Sequence, residues 1–299
     1  MSVPPVAPAA PATARLLQAG APGLFVVLWA TGFAMARLGL PYAPPFTILL
    51  LRFIAVVAVI LPVSLVTQAP WPRSWRQAAH VAVVGVLLQT AYLGGVYAAI
   101  AAGVPSGISA LIVGLQPVLT AAVVGPFLGE RVSARQWLGL ALGFAGVALV
   151  LGEKLEFDRA QSWGVLFAVI GLVAITAATL YQKRFCGAVD LRTGAVIQYA
   201  AATLSTLPIV AWLGWGQVRW TGEFVLALGW LVLVLSLGAV SILTWLIRHG
   251  AASRVTSLFY LVPPVAALMG WVMFDERLAP PALFGMALAA AGVALVMRK

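Results

Sequence analysis

LQPVLTAAVVGPFLGERVSARQWLGLALGFAGVALVL, residues 115–151, and LVPPVAALMGWVMFDERLAPPALFGMALAAAGVALVM, residues 261–297, carry one pattern twice. They align without a gap at a constant offset of 146, so that Pro117 meets Pro263 and Glu130-Arg131 meets Glu276-Arg277. Gly139 meets Gly285, and Ala145–Val150 recurs as Ala291–Val296. The same offset carries Thr47 onto Thr193, Ala55 onto Ala201 and Pro62 onto Pro208. Two distant blocks sharing one offset identify a chain built from two copies of one unit.

Working outward from these blocks, apolar runs of about 20 residues recur from Gly23 to the last residues, each long enough to cross a hydrocarbon core of about 30 Å. Hydrophobic residues make up 63% of the 299-residue chain and charged residues 9%, too little polar surface to clothe a soluble globule of this size. The runs predict helices over 22–39, 45–66, 76–101, 105–128 and 134–151, and again over 163–182, 193–214, 224–247, 253–274 and 280–297. The expected fold is thus an all-α membrane protein of ten transmembrane helices, arranged as two five-helix repeats over 20–160 and 161–299. An odd number of spans per copy makes the second copy enter the membrane from the opposite side, so the halves are inverted. Inverted repeats are a recurrent plan of secondary transporters.

Residues 1–19, rich in Ala and Pro, lack a basic start and a cleavage site and read as a disordered cytoplasmic tail. The net charge of +10 comes from 18 Lys and Arg scattered between the apolar runs, with no basic patch that would suit nucleic acid. With the N-terminus inside, the inner segments hold 12 of these cations and the outer loops 5, which orients both termini to the cytoplasm. A single Cys186 and two histidines offer no disulfide and no metal cluster, and no cofactor is expected.

The segment WATGFAMARLGLPYAPPFTILLLRF, residues 29–53, and the doubled pattern of Pro, then Gly/Asp-Glu-Arg, then Gly-x-x-x followed by Gly-Val resemble the drug/metabolite transporter superfamily, EamA-like branch. The resemblance covers nearly the whole chain. In length and layout it is most like the exporters of aromatic amino acids in that branch. It implies a bacterial inner-membrane exporter of small metabolites, amino acids first among them, working by alternating access as a monomer or weak homodimer.

The residues themselves offer a set of candidates. Arg52 lies about two turns inside the second span with no carboxylate in any span, which leaves structural pairing or attraction of a substrate carboxylate open. Its repeat mate is Gln198. Gln89 and Tyr92 share a face of the third span, and Gln116 lies mid-span in the fourth; as buried polar groups they serve either as glue between helices or as cavity lining. Trp163, Tyr199, Trp245 and Tyr260 add aromatic faces suited to a mixed polar and apolar solute, although Trp163 and Trp245 also fit an interfacial belt. His80, near the inner end of the third span, is either structural or a titrating group of the site. Pro117, Pro263 and Pro264 should kink the fourth and ninth spans and act as hinges. Glu130-Arg131 and Glu276-Arg277 should cap the fifth and tenth helices, or form a gate ion pair. Gly139, Gly143 and Gly146, echoed by Gly285, Ala289 and Gly292, predict close helix packing or dimerisation.

All eight carboxylates fall in loops or at span ends, so the membrane interior holds no acid for a proton relay. Substrate-driven uniport follows as the expectation, with a proton-coupled multidrug exporter as the alternative. Ser106 with His80 or His249 is the best nucleophile pair available to an intramembrane enzyme, but it lacks a hydrolase's strand-turn-helix context. A channel is a further alternative.

Overall fold

The computed structural model describes residues 12–104, 109, 112–151, 162–274 and 280–297, and among these there are helices and no strands. In chain order they are α1 (Ala12–Gly39), α2 (Pro45–Val66), α3 (Trp75–Ala101), α4 (Gln116–Leu128), α5 (Ala134–Leu151), α6 (Ser162–Phe185), α7 (Leu191–Leu213) and α8 (Gly222–His249). Then α9 runs as Ala252–Ser257, a 3₁₀ turn Leu258–Leu261 and Val262–Phe274, and α10 spans Pro280–Met297. By length and composition α2, α3, α6, α7 and α8 can each cross a membrane. Large apolar side chains such as Leu65, Ile170, Leu204, Leu233 and Phe284 are exposed around the bundle, which requires an apolar solvent on that surface.

The helix starts follow local chemistry. Ser74 accepts from the Gln77 amide, Thr221 from Phe224 and Asp190 from Arg192, so orphan amides at three N-termini are capped. At α5, the Ser133 hydroxyl accepts from the Gln136 amide while the Gln136 side chain accepts from the Ser133 amide, a reciprocal capping box. That box corrects the role expected of Glu130. Its carboxylate reaches across the bundle and accepts, through both oxygens at 3.1 and 3.2 Å, from the amide of Ala252 at the start of α9. Ser133 already satisfies α5, whereas α9 begins at Ala252 with no capping side chain of its own. Asp275, Glu276 and Arg277, the second copy of this pair, lie outside the described residues, as do Ser106 and residues 1–11.

Two further expectations are revised. Helix α1 begins at Ala12, inside the stretch expected to be a tail, because Ala, Arg, Leu and Gln over 12–19 are good helix formers. Pro117 of α4 and Pro263-Pro264 of α9 do not sit inside continuous helices. The chain leaves α-geometry just before them, at the turn Gly114–Leu115 and at the 3₁₀ turn Leu258–Leu261. Pro117 and Pro263-Pro264 therefore fall in the first turn of the following helix, where the missing N–H costs no hydrogen bond.

Helices α3 and α8 share another irregularity. Each contains a π-helical segment, Val86–Leu93 in α3 and Leu231–Ala239 in α8. Helix packing repeats in the same way. α5 packs along α10 and α2 along α7; α3 touches α6 and α7 as α8 touches α1 and α2; and α1 meets α9 as α6 meets α4.

At the α5–α10 crossing the glycine stripe expected from sequence is used within the chain. A Cβ on Gly146 would collide with the Gly285 carbonyl and the Ala289 amide, and one on Gly292 with Gly139 and Gly143 backbone. Gly143 also receives the ring of Tyr260.

One face of the bundle carries the loops 40–44 and 214–221, the other the loops 67–74, 129–133, 186–190 and 250–251. On the first, Thr47 donates to the Trp215 carbonyl at 2.8 Å, the Arg219 guanidinium donates to the Pro41 carbonyl and lies over the Tyr42 ring, and Tyr42 meets Glu223. On the second, Thr193 donates to the Pro70 carbonyl at 2.9 Å, Lys183 donates to the Gly250 carbonyl, and Arg184 to that of Phe127. Thr47 and Thr193 are repeat mates and make equivalent bonds on opposite faces.

Cys186, in the second set of loops, is 1% exposed. Burial pushes its thiol up to about 11 against the opposing pull of Arg248 nearby. At pH 8 its thiolate fraction is then on the order of 0.1%. Maleimide should label the folded protein only slowly and the SDS-unfolded chain within minutes; mass spectrometry of both gives the comparison.

Candidate functional site

A cavity lies between α1, α2, α3 and α8. Its walls are mostly apolar: Leu88, Leu93, Val96, Ile100, Leu235 and Val240, with the faces of Trp29, Tyr92 and Tyr97. Its polar groups converge at one place. Arg52 is 1% exposed, and its Nε donates to the Ser236 hydroxyl at 2.8 Å while one terminal nitrogen, Nη1, has no partner. The Ser236 hydroxyl donates in turn to the Leu231 carbonyl five residues back, so it presents a lone pair to Arg52. The side-chain amide nitrogen of Gln89 and the Tyr199 hydroxyl, both buried here, are likewise unpartnered. An unpaired guanidinium and an unpaired amide N–H₂ are donors without an acceptor, in a site of low dielectric. That combination fits a carboxylate or another planar anion, which would accept from both.

The π segment of α3 makes this wall. Leu88, Tyr92, Val96 and Ile100 form one file, and Gln89, Leu93 and Tyr97 a second beside it, each with a spacing of four. A regular α-helix drifts about 40° at each such step and would turn the far ends of both files away. The wider i→i+5 turn within Val86–Leu93 holds them in line.

Arg52, Gln89 and Tyr92 line one cavity, with Tyr199 buried beside them within reach of the Arg52 charge. Gln198 lines a separate crevice between α7 and α8. Gln116 donates to the Thr179 hydroxyl at 3.1 Å, tying α4 to α6, and Tyr260 packs on Gly143 of α5. His80 bonds the Tyr181 hydroxyl at 2.7 Å and stacks on Phe185, joining α3 to α6. Trp245 contacts His249 at the end of α8, where the His249 ring meets the Trp245 carbonyl. Trp163, at the start of α6, is 70% exposed on the outer surface. Trp29, Tyr97 and Ser236 are site residues that sequence reasoning missed. Trp29 stood at the head of the quoted motif, which was its only signal.

A bundle with five helices able to cross a membrane, around a cavity with one buried charge, is an arrangement that suits a membrane transporter. The chain belongs to the EamA-like transporter family, whose profile matches it twice, over residues 23–152 and 162–298. It is 28% identical over 84% of its length to an uncharacterized inner membrane transporter, YedA, of Escherichia coli K12, covering 81% of that protein. It is 29% identical to a probable terminal-alkyne amino-acid exporter of Streptantibioticus cattleyicolor, with 92% of each chain covered. A probable amino-acid metabolite efflux pump of E. coli K12 is 22% identical over 85% of this chain and 86% of its own. A crystal structure of a protein superposes with a TM-score of 0.78 at 23% identity, over 95% of this chain and 97% of the other, and shares this chain's fold.

Proposed function

We propose that this transporter exports amino acids, aromatic and other apolar ones first, across a bacterial inner membrane with both termini cytoplasmic. The observation that carries the reading is the unpaired guanidinium of Arg52 beside the unpaired amide of Gln89, at the polar end of an otherwise apolar and aromatic cavity. Carboxylate at one end and side chain along Trp29, Tyr92 and Tyr97 is the complementary solute. The names of two relatives, an amino-acid exporter and an amino-acid metabolite efflux pump, point the same way.

The mechanism is alternating access between two inverted five-helix repeats, 20–160 and 161–299, within ten transmembrane helices. Support comes from the doubled family match, the paired π segments, the exchange-symmetric packing and the equivalent bonds of Thr47 and Thr193. The breaks before Pro117 and Pro263 supply the bending points. Glu130, Asp190 and Glu223, the described carboxylates, all lie at helix ends, so transport runs down the substrate gradient without a proton.

Counterflow of a labelled amino acid panel into proteoliposomes loaded with unlabelled substrate tests both halves of the proposal. Uptake of aromatic and large apolar amino acids is expected with no ion gradient imposed. Uptake that appears only with a proton gradient would sink the uniport reading, and uptake of organic cations in place of amino acids would sink the substrate reading.

A further inference from the structure

Beyond the cavity lies a second, narrower crevice, lined by Leu191, Gly194, Gln198, Ser241, Thr244 and Arg248, with Ser236 and Val240 at its inner end. Val240 borders both spaces, and the Arg52–Ser236 hydrogen bond joins their walls. The cavity runs from Arg52 toward Ile100, near the face with loop 40–44. The crevice runs from Ser236 toward Leu191 and Arg248, at the opposite face. They lie in series, with Arg52–Ser236 as the partition.

The two spaces differ in character. The cavity is aromatic and apolar around one guanidinium, whereas the crevice is lined by hydroxyls, an amide and a second guanidinium. Gln198, Thr244 and Ser236 are buried there, and Nε of Arg248 is buried without a hydrogen-bond partner. Asp190 is near enough to Arg248 to be felt, but its oxygens are already engaged by Arg192 at 3.0 Å. Neither lining contains a carboxylate.

We propose that the crevice is a second substrate station, where Arg248, with Gln198, holds the carboxylate of the solute before or after Arg52 does. This rests on the cavity reading and extends it. Ser236 and Arg248 are twelve residues apart on α8, about 18 Å along the axis, so one solute cannot bridge both arginines and must be passed between them. The order also defines the solute class. A path with two incompletely paired guanidiniums and no acid admits anions and zwitterions bearing a carboxylate, and repels organic cations at both stations.

The test is a sided one, using right-side-out and inverted membrane vesicles and labelled phenylalanine as the probe. Arg248→Gln should raise the KM about tenfold from one face only, the inverted vesicles being the expected ones, with the KM from the other face changed less than about twofold. The unaffected face reports that the variant is folded. Arg248→Lys should recover part of the loss. An equal change from both faces, or none from either, overturns the second station. Arg52→Gln in the same vesicles separates this from the parent reading, since normal transport by that variant would remove the cavity assignment itself, whatever Arg248→Gln does.

Discussion

Arg52→Gln should abolish amino acid counterflow, lowering transport efficiency by on the order of 100-fold, while leaving the protein at least as stable as the wild type. Both halves of that expectation follow from the bonding of Arg52. It makes one hydrogen bond, to Ser236, and leaves Nη1 buried without a partner. A residue kept for structure would be fully paired, and its removal would strand its partners. Here the substitution removes an under-satisfied charge from an apolar bundle, which relieves a desolvation cost. The solute loses the charge-assisted bond that holds its carboxylate. Arg52→Lys should rescue little, because a single ammonium cannot both reach Ser236 and present a second planar donor to a carboxylate. Counterflow and detergent melting curves on the same preparations check the prediction. Lost transport together with a lowered melting temperature would reassign Arg52 to the scaffold.

Gly292→Val should have the largest effect on folding. A Cβ at Gly292 meets the Gly139 carbonyl and the Gly143 amide at 2.5 Å, and both are backbone atoms that no rotamer change can move. The α5–α10 pair would have to separate, at a cost on the order of 3 kcal/mol, and lose the close backbone approach that holds helices together in lipid. Gly146→Val should behave alike, since its Cβ runs into Gly285 and Ala289. Gly229→Ala is the control, with nothing within 4 Å of the added carbon. Monodispersity in mild detergent, read by size-exclusion chromatography, should fail for the first two and survive for the third.

The fold was written in the sequence wherever a boundary was marked by charge or proline. Helices over 45–66 and 134–151 fall where Pro44-Pro45 and the Ser133 box start them. What escaped is what the regular 3.6-residue period conceals. That period puts Gln89 and Tyr92 on one face but turns Tyr97 away, and only the π segment brings Tyr97 back to the cavity. Nothing in VLLQTAYL marks such a segment. Glu130 was read as a local cap because sequence shows neighbours along the chain, whereas its partner Ala252 lies 122 residues away. Gln116 and His80 hydrogen-bond to α6 and Tyr260 packs on α5, while Gln116 Oε1 and the Tyr260 hydroxyl stay buried without a partner. Polarity in a span signals a need for a partner and does not say whether the partner is protein or solute.

The matched bonds of Thr47 and Thr193 have an energetic consequence under the alternating mechanism. Each face of the bundle carries, among its other contacts, one hydroxyl-to-carbonyl bond of the same kind, worth about 1 kcal/mol net. That pair contributes equally on the two sides, so any preference between orientations comes from the other contacts of each face, those of Arg219 and Tyr42 on one and of Lys183 and Arg184 on the other. Under the proposed uniport, the direction of transport is set by which side of the membrane holds more solute.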